Sequence, residues 1–287
     1  MTPSTACTSG RGRRLWGAGG LLAALALVLG MQGCAVPGGG ASSAPAPATA
    51  EPAASGPPQS MLWVGNSFFY YNNSLHGHVG LLAASGGVRV RGVSSTISGS
   101  GLDWHDLPSL LRPGGLGRYS FVGDNEIRFN PPGRQFDSVV MMDCSQCPVH
   151  PQLQGAFHDT VKKNATLLRE RGIRPVLFMS WAYADKPDMT EALAAQYTAA
   201  GKANGAQVIP AGLAFARALA LDPAVQLYAP DKRHPSLAGT YLAACTTYAA
   251  LWGKSPVGLG YTAGLDPALV RTLQTAAWDA VQAQARR

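Results

Sequence analysis

The stretch Met61-Leu-Trp-Val-Gly-Asn-Ser67 decides the fold. Four apolar residues in a row predict a short buried strand, because an amphipathic helix needs a longer pattern in which polar residues recur. The Gly-Asn-Ser triplet then makes a sharp turn, and residues 75–85 follow with a helical pattern that two glycines close. A strand, a tight turn and a helix in this order predict the opening unit of an α/β domain.

Strands and helices alternate along the rest of the chain. We predict further strands at 88–94, 136–142, 174–179 and 207–210, and helices at 153–171, 191–203, 213–221, 236–252 and within 266–285. Thr190, Ser236 and Asp266 precede three of these helices as predicted caps, and Pro267 suits a first helical position. This alternation predicts a three-layer α/β/α sandwich with a mainly parallel sheet. Active sites of such sheets gather beyond the carboxyl ends of the strands.

The first 33 residues read as an export signal. Three arginines precede an uncharged apolar stretch at 15–29, which is short for a membrane span and typical of a signal peptide. Gly33 before Cys34 resembles a bacterial lipobox, in which the cysteine becomes the lipidated first residue of the mature protein. Cleavage without lipidation and an uncleaved anchor are the alternatives. We therefore expect an exported protein at the periplasmic side or cell surface, anchored to a membrane through Cys34.

Residues 34–60 are mostly Ala, Pro, Gly and Ser and predict a flexible tether, which leaves 61–287 as one domain. The formal net charge is +7, of which three charges lie in the predicted signal. The remaining mild excess has no dense Lys/Arg run, so no nucleic-acid partner is expected. We expect the domain to act as a monomer.

Cys144, Cys147 and Cys245 are the cysteines of the predicted domain. In an oxidising compartment, Cys144 and Cys147 can form a small disulfide. A C-x-x-C pair also permits a thiol-redox site, but such pairs open a helix, and this pair follows a strand and runs into a proline. A structural bridge or two free thiols are the favoured interpretations. Two cysteines do not make a zinc site, so no metal is expected.

Ser67 stands where the first predicted strand ends and a helix begins. There its backbone N–H lies close to a helix N-terminus, which favours a developing oxyanion. A serine in this turn could equally be only a helix cap. Asp231-Lys-Arg-His234 shifts the interpretation, because a carboxylate three residues before a histidine can hold the imidazole as a general base. Ser67, His234 and Asp231 are therefore the predicted catalytic residues.

The blocks Val64-Gly-Asn-Ser67 and Asp231-x-x-His-Pro-Ser236 resemble the first and last signature blocks of the SGNH (GDSL-like) hydrolase family. The resemblance spans about residues 61–253. It implies a flavodoxin-like SGNH hydrolase fold and a serine esterase without a metal or organic cofactor. The family usually has Asp before the nucleophile, whereas Asn66 resembles a Gly-Asn-Ser branch.

The resemblance also implies further donors to an oxyanion hole beside the Ser67 amide. A glycine after the second strand supplies one of them, and here Gly99 or Gly101 is correctly placed. The third block of this chain, Met142-Asp-Cys-Ser-Gln146, follows the third predicted strand. Related branches carry a Gln near the end of that strand, where this chain has Met142. Either Gln146 or Ser145 takes over that role, or the hole has one donor fewer.

Two more side chains are predicted to touch the substrate. Trp181, with Tyr183, follows the strand 174–179 at the active end of the sheet. These rings form either an apolar or sugar-stacking wall or the packing beneath a loop. His150 follows in the loop of the third block.

Two functions follow from these patterns. The first is hydrolysis of carboxylic esters, with acetyl or short acyl groups on a small molecule or a glycan, through an acyl-enzyme on Ser67. The second, motivated by the unusual third block, is a tethered binding lipoprotein that keeps the fold with little or no catalysis. No sequence pattern selects among the ester substrates.

Overall fold

The computed structural model describes residues 56–116, 118–130 and 135–286. Seven strands are present in this part of the chain: β1 (Ser60–Gly65), β2 (Arg91–Thr96), β3 (Tyr119–Gly123), β4 (Glu126–Phe129), β5 (Ser138–Met141), β6 (Arg174–Phe178) and β7 (Gln207–Ile209). Five of them form a parallel sheet in the order β2-β1-β5-β6-β7. Strands β3 and β4 form a separate antiparallel hairpin.

Helices cover both faces of the parallel sheet. They are α1 (Ser67–Tyr70), α2 (Leu75–Ser85), α3 (Leu107–Leu110), α4 (Gln154–Glu170), α5 (Met189–Asn204), α6 (Ala211–Leu221), α7 (Leu237–Trp252) and α8 (Pro267–Gln284). Met61 and Trp63 of β1 pack in one core cluster with α2, α6, α7 and α8. Leu62 and Val64 pack in a second cluster with α4 and α5, because successive strand residues point to opposite faces. The predicted three-layer sandwich is confirmed.

Two of the three predicted helix caps are confirmed. Ser236 Oγ accepts a hydrogen bond from Gly239 N at 3.1 Å. Asp266 Oδ1 accepts from the N–H groups of the first turn of α8, with Pro267 at its first position. The Thr190 prediction was wrong, since α5 already begins at Met189 and Thr190 lies inside its first turn.

Two local predictions differ from the structure. Strand β2 begins at Arg91 rather than at Val88, because the Val88 N–H donates to Ala83 O at 2.8 Å and closes helix α2. The hairpin β3–β4 was not predicted. Its second strand is exposed at every residue, so it carries no alternation of buried and exposed positions that a pattern could reveal.

The folded part begins slightly before Met61. The N–H groups of Gln59 and Ser60 both donate to Asp137 Oδ2, at 2.7 and 3.0 Å, so the last residues of the predicted tether join the fold. The predicted signal at 1–33 and the lipidation site Cys34 lie outside the described residues. Among the residues that the structure describes, no helix has the length and apolar character that crossing a membrane requires.

Candidate active site

Ser67 lies at the carboxyl edge of the sheet, in a tight turn that directly follows strand β1. Gly65 ends the strand against the ring of Phe69, where an added Cβ would lie 2.9 Å from two ring carbons. Asn66 is extended and caps the short helix α1, of which Ser67 is the first residue. A first helical residue has no acceptor for its N–H within the helix. The Ser67 amide is therefore left without an acceptor inside the helix, and its role in an oxyanion hole stays a prediction.

Asn66 joins the ends of three strands. Its Nδ2 donates to Ser100 O at 3.1 Å and to Asp143 O at 3.2 Å, and its Oδ1 accepts from Phe68 N at 3.3 Å. Both amide protons are thus used on carbonyl oxygens, and the residue is buried. A carboxylate at this position would have no proton for either carbonyl. This arrangement gives a physical reason for Asn where the SGNH pattern has Asp.

We expect Asn66→Asp to lower the free energy of unfolding by about 2–4 kcal/mol, because a buried charge would face two carbonyl oxygens. Urea denaturation followed by circular dichroism measures the change. Asn73→Asp, at an exposed position of the neighbouring loop, is the matched control and should shift stability little. Equal stability of the two variants would contradict this account of Asn66.

The Asp231–His234 loop brings the imidazole onto the serine. Asp231 Oδ2 contacts His234 Nδ1, and His234 Nε2 lies 2.8 Å from Ser67 Oγ. Asp231 Oδ1 also accepts from the N–H groups of Arg233 and His234, each at 2.9 Å. The turn is tight because Lys232 adopts a left-handed conformation with φ of 64°. The three predicted catalytic residues are thus brought into one chain of contacts.

The carboxyl of Asp231 is held in its ionised form. Desolvation would raise its pKa, but hydrogen bonds from the His234 side chain and from the N–H groups of Arg233 and His234 outweigh that effect and lower the pKa to about 2. An ionised acceptor at Nδ1 keeps the proton of a neutral imidazole on that nitrogen. Nε2 is then free to accept the Ser67 proton.

Trp181 supports this loop from beneath. Its indole Nε1 donates to Arg233 O at 2.9 Å, next to His234. The ring has no exposed surface and stacks between Phe68 at 4.8 Å and Phe215 at 4.2 Å. The prediction that Trp181 touches substrate was wrong, because a side chain without exposed surface cannot line a binding wall. It takes the alternative role of packing beneath a loop.

The glycine loop after β2 lies against the nucleophile turn. Ser100, between the two predicted donor glycines, is bonded through its carbonyl to Asn66, and its hydroxyl donates to Gly65 O at 3.4 Å. His105 Nε2 lies 3.1 Å from the same hydroxyl, and burial lowers the pKa of His105. Gly99 has a left-handed φ of 69°, and a Cβ on Gly101 would meet Asp103 Oδ1 at 2.4 Å. The positive φ favours glycine at position 99, and a side chain at position 101 would displace the Asp103 carboxylate. The donor role of both residues stays a prediction.

The third block contains an acid that sequence reasoning missed. Asp143 is buried directly after β5, where its Oδ1 accepts from Leu102 N at 2.9 Å and Cys144 N at 2.7 Å. Burial raises its pKa. It fastens the loop after β2 to the loop after β5, next to the Asn66 contacts. An acid placed directly behind a buried strand was the available signal.

The remaining predicted donors of this block lie in a turn closed by a disulfide between Cys144 and Cys147. Of the two favoured interpretations, the structure shows the structural bridge. In the disulfide, neither sulfur is a thiolate that could bind a metal ion beside Asp143. Ser145 Oγ is 2.7 Å from Tyr183 OH, and Gln146 is exposed.

His150 follows this turn, half-buried, and its Nδ1 accepts from Gln152 N at 3.2 Å. The donor role of Gln146 and the substrate contact of His150 stay predictions.

Comparison with solved structures agrees with this architecture. The chain is similar to a DUF4886 family protein from Bacteroides uniformis, with a TM-score of 0.58 and 20% identity over 78% of this chain and 95% of that one. It is also similar to a candidate GDSL-like lipase from Parabacteroides merdae, with a TM-score of 0.51 and 14% identity over 71% and 100% of the two chains. This is the SGNH/GDSL-like hydrolase fold.

A candidate SGNH hydrolase from Slackia heliotrinireducens also aligns, with a TM-score of 0.47 and 23% identity over 67% of this chain and 98% of that one. No protein-family model and no curated protein matches the chain by sequence. The SGNH fold assignment therefore depends on the parallel sheet and its helices, and the chemistry depends on the residues at the sheet edge.

Proposed function

We propose that this protein is a serine esterase that hydrolyses carboxylic esters with acetyl or short acyl groups. The observation that carries the proposal is the 2.8 Å contact between Ser67 Oγ and His234 Nε2, with the Asp231 carboxylate on the other imidazole nitrogen. Nucleophile, base and orienting acid in contact are the arrangement that activates a serine hydroxyl.

In the acylation half-reaction, Ser67 Oγ attacks the ester carbonyl carbon as its proton passes to His234 Nε2. The carbonyl oxygen becomes an oxyanion that the Ser67 amide and the Gly99 or Gly101 amide stabilise. When the tetrahedral intermediate collapses, the bond to the leaving oxygen breaks. His234 then gives its proton to the departing alcohol, and an acyl-enzyme remains on Ser67.

In the deacylation half-reaction, a water molecule attacks the acyl carbon and gives a proton to His234 Nε2. The bond between that carbon and Ser67 Oγ breaks, the proton returns to the serine, and a carboxylic acid leaves. Asp231 stays ionised throughout and stabilises the imidazolium at each stage.

We also propose that the enzyme works outside the cytoplasm on a small-molecule or glycan ester. The arginines, apolar stretch and Gly33-Cys34 pair near the start of the chain support export and membrane anchoring at Cys34.

The test is covalent labelling together with ester turnover. We expect a fluorophosphonate probe to label the folded protein once, on the peptide that contains Ser67, and p-nitrophenyl acetate or butyrate to be hydrolysed. Ser67→Ala, which removes only the hydroxyl, is the control and should not be labelled. A folded wild-type protein that neither reacts with the probe nor hydrolyses the esters would contradict the proposal and favour the binding-protein alternative.

A further inference from the structure

The segment that follows helix α1, which carries Ser67, has an unusual backbone. Asn72, Asn73 and Ser74 have φ values of 53°, 67° and 71°, so three consecutive residues other than glycine are left-handed. Residues other than glycine adopt a positive φ singly and at an energetic cost. Consecutive residues of this kind persist only where the surrounding structure holds them. The contacts that hold this run lead to the His234 loop.

The Asn72 side chain bridges the nucleophile helix and the histidine loop. Its Nδ2 donates to Pro235 O at 2.9 Å and to Thr240 Oγ1 at 2.8 Å. Pro235 directly follows His234, and Thr240 lies in the first turn of α7. One amide group thus ties the chain beyond Ser67 to the residue that directly follows His234.

A buried histidine holds Asn72 from the other side. His78 Nε2 lies 2.6 Å from Asn72 O, and its Nδ1 lies 2.8 Å from Tyr261 OH. A carbonyl only accepts, so the Nε2–H donates to it, and in a neutral ring Nδ1 then accepts from the Tyr261 hydroxyl. Tyr241 OH in turn donates to Tyr261 O at 2.8 Å. The left-handed run is therefore fastened to helix α7 and to the loop before α8.

Tyr71 contacts the imidazole itself. Its ring is stacked on His234 with centroids 4.2 Å apart and planes 7° apart, and the Phe68 ring forms a T-shaped pair with His234 at 5.4 Å. The neighbouring ring of Tyr70 stacks on Tyr71 at 5.8 Å. A protonated imidazole over the face of a tyrosine ring is favoured by a cation–π interaction. The Tyr71 contact therefore strengthens when His234 takes the Ser67 proton.

We propose that Tyr71 and Asn72 are positioning residues for His234. Asn72 fixes the loop that carries the imidazole, and Tyr71 limits the rotation of the ring and stabilises its protonated form. The inference rests on the proposed esterase function. The charged groups of the same loop are Asp231, which contacts Nδ1, and Lys232 and Arg233, whose guanidinium lies 4.8 Å over the Tyr183 ring.

The first variant, Asn72→Gly, keeps a residue that tolerates positive φ and removes the two amide hydrogen bonds. We expect kcat for p-nitrophenyl acetate to fall by about 10-fold, with KM little changed. Losing the two bonds costs the imidazole loop a positioning free energy on the order of one net hydrogen bond. Asn73→Gly is the matched control, because Asn73 has the same backbone conformation and an exposed side chain. It should retain the wild-type kcat.

The second variant, Tyr71→Leu, separates stacking from simple packing through the pH profile. Without the ring, protonation of the imidazole is less favoured, so the pH at which kcat/KM falls to half should move down by about 0.4–1.5 units. Tyr71→Phe keeps an aromatic face and should restore most of the wild-type profile. A purely structural role would lower activity in Tyr71→Leu without moving this midpoint.

The two proposals fail in different ways. If wild-type protein hydrolyses esters while Asn72→Gly keeps its kcat and Tyr71→Leu keeps its midpoint, the positioning role is wrong and the esterase stands. If wild-type protein is inactive, NMR titration of the His234 ring in folded wild type and Tyr71→Leu still tests the stacking. A midpoint lower in Tyr71→Leu supports the inference, and identical midpoints overturn it.

Discussion

Replacing Ser67 with alanine is expected to lower kcat/KM for p-nitrophenyl acetate by roughly 10⁴- to 10⁶-fold, and His234→Ala by a similar factor. The free-energy costs of the two substitutions should not add. Once the hydroxyl is gone, the imidazole has no proton to accept, and without the imidazole the hydroxyl is a weak nucleophile. The double variant Ser67→Ala/His234→Ala should therefore be no slower than either single variant by more than a small factor.

Initial-rate kinetics of wild type, both single variants and the double variant measure this coupling. Thermal unfolding by circular dichroism must show all four proteins folded at the assay temperature. Thr272→Ala is a suitable control, since its hydroxyl donates to Ala268 O within helix α8 and contacts neither Ser67 nor His234. If the fold-losses in kcat/KM of the two single variants multiplied in the double variant, the two residues would act independently. The proposed mechanism does not allow that result.

Trp181→Ala is expected to lower the free energy of unfolding by about 3–5 kcal/mol, because it removes a large side chain from a fully buried stack. The same change removes the indole donor of Arg233 O, which holds the loop that carries His234. We therefore also expect a lower kcat at temperatures where the variant is folded. Urea denaturation and steady-state kinetics measure the two effects.

Trp181→Phe separates the two contributions of this residue. It keeps an aromatic ring between Phe68 and Phe215 but has no N–H for Arg233 O, so it should lose less stability than the alanine variant. Trp104→Ala is the matched control, because the Trp104 side chain is 63% exposed and should change stability little. A Trp181→Ala protein as stable as the Trp104→Ala protein would show that the stack does not carry the expected packing energy.

Ionisation of Asp231 limits where these measurements can be made. Its pKa of about 2 lies below the ordinary value of 3.8, so it contributes stability above pH 4 that is lost as the pH falls through 2. The side chain is 45% exposed, and water therefore screens much of this effect. Activity assays between pH 5 and pH 8 keep this carboxylate charged.

Elements with a strong local pattern were predictable from the sequence. Strand β1, the turn to Ser67 and the caps Ser236 and Asp266 follow from apolar runs, turn residues and hydroxyl or carboxylate groups before helices. The start of β2 and the hairpin β3–β4 were not predictable in the same way. Residue 88 looks like the start of a strand, but its N–H is used to end helix α2. The exposed hairpin has no buried face to produce a pattern.

By itself, the sequence determined the alternation of strands and helices and the presence of a serine turn and an Asp-x-x-His loop, because these depend on neighbouring residues. Only the tertiary structure decided which distant groups meet. Ser67 and His234 lie in contact across 167 positions, Asn66 uses both amide protons on the loops after β2 and β5, and Trp181 faces inward beneath the histidine loop. Spacing along a chain does not specify the direction of a side chain beyond the end of a strand. That direction is set by which surfaces remain to be covered when the sheet and its helices pack.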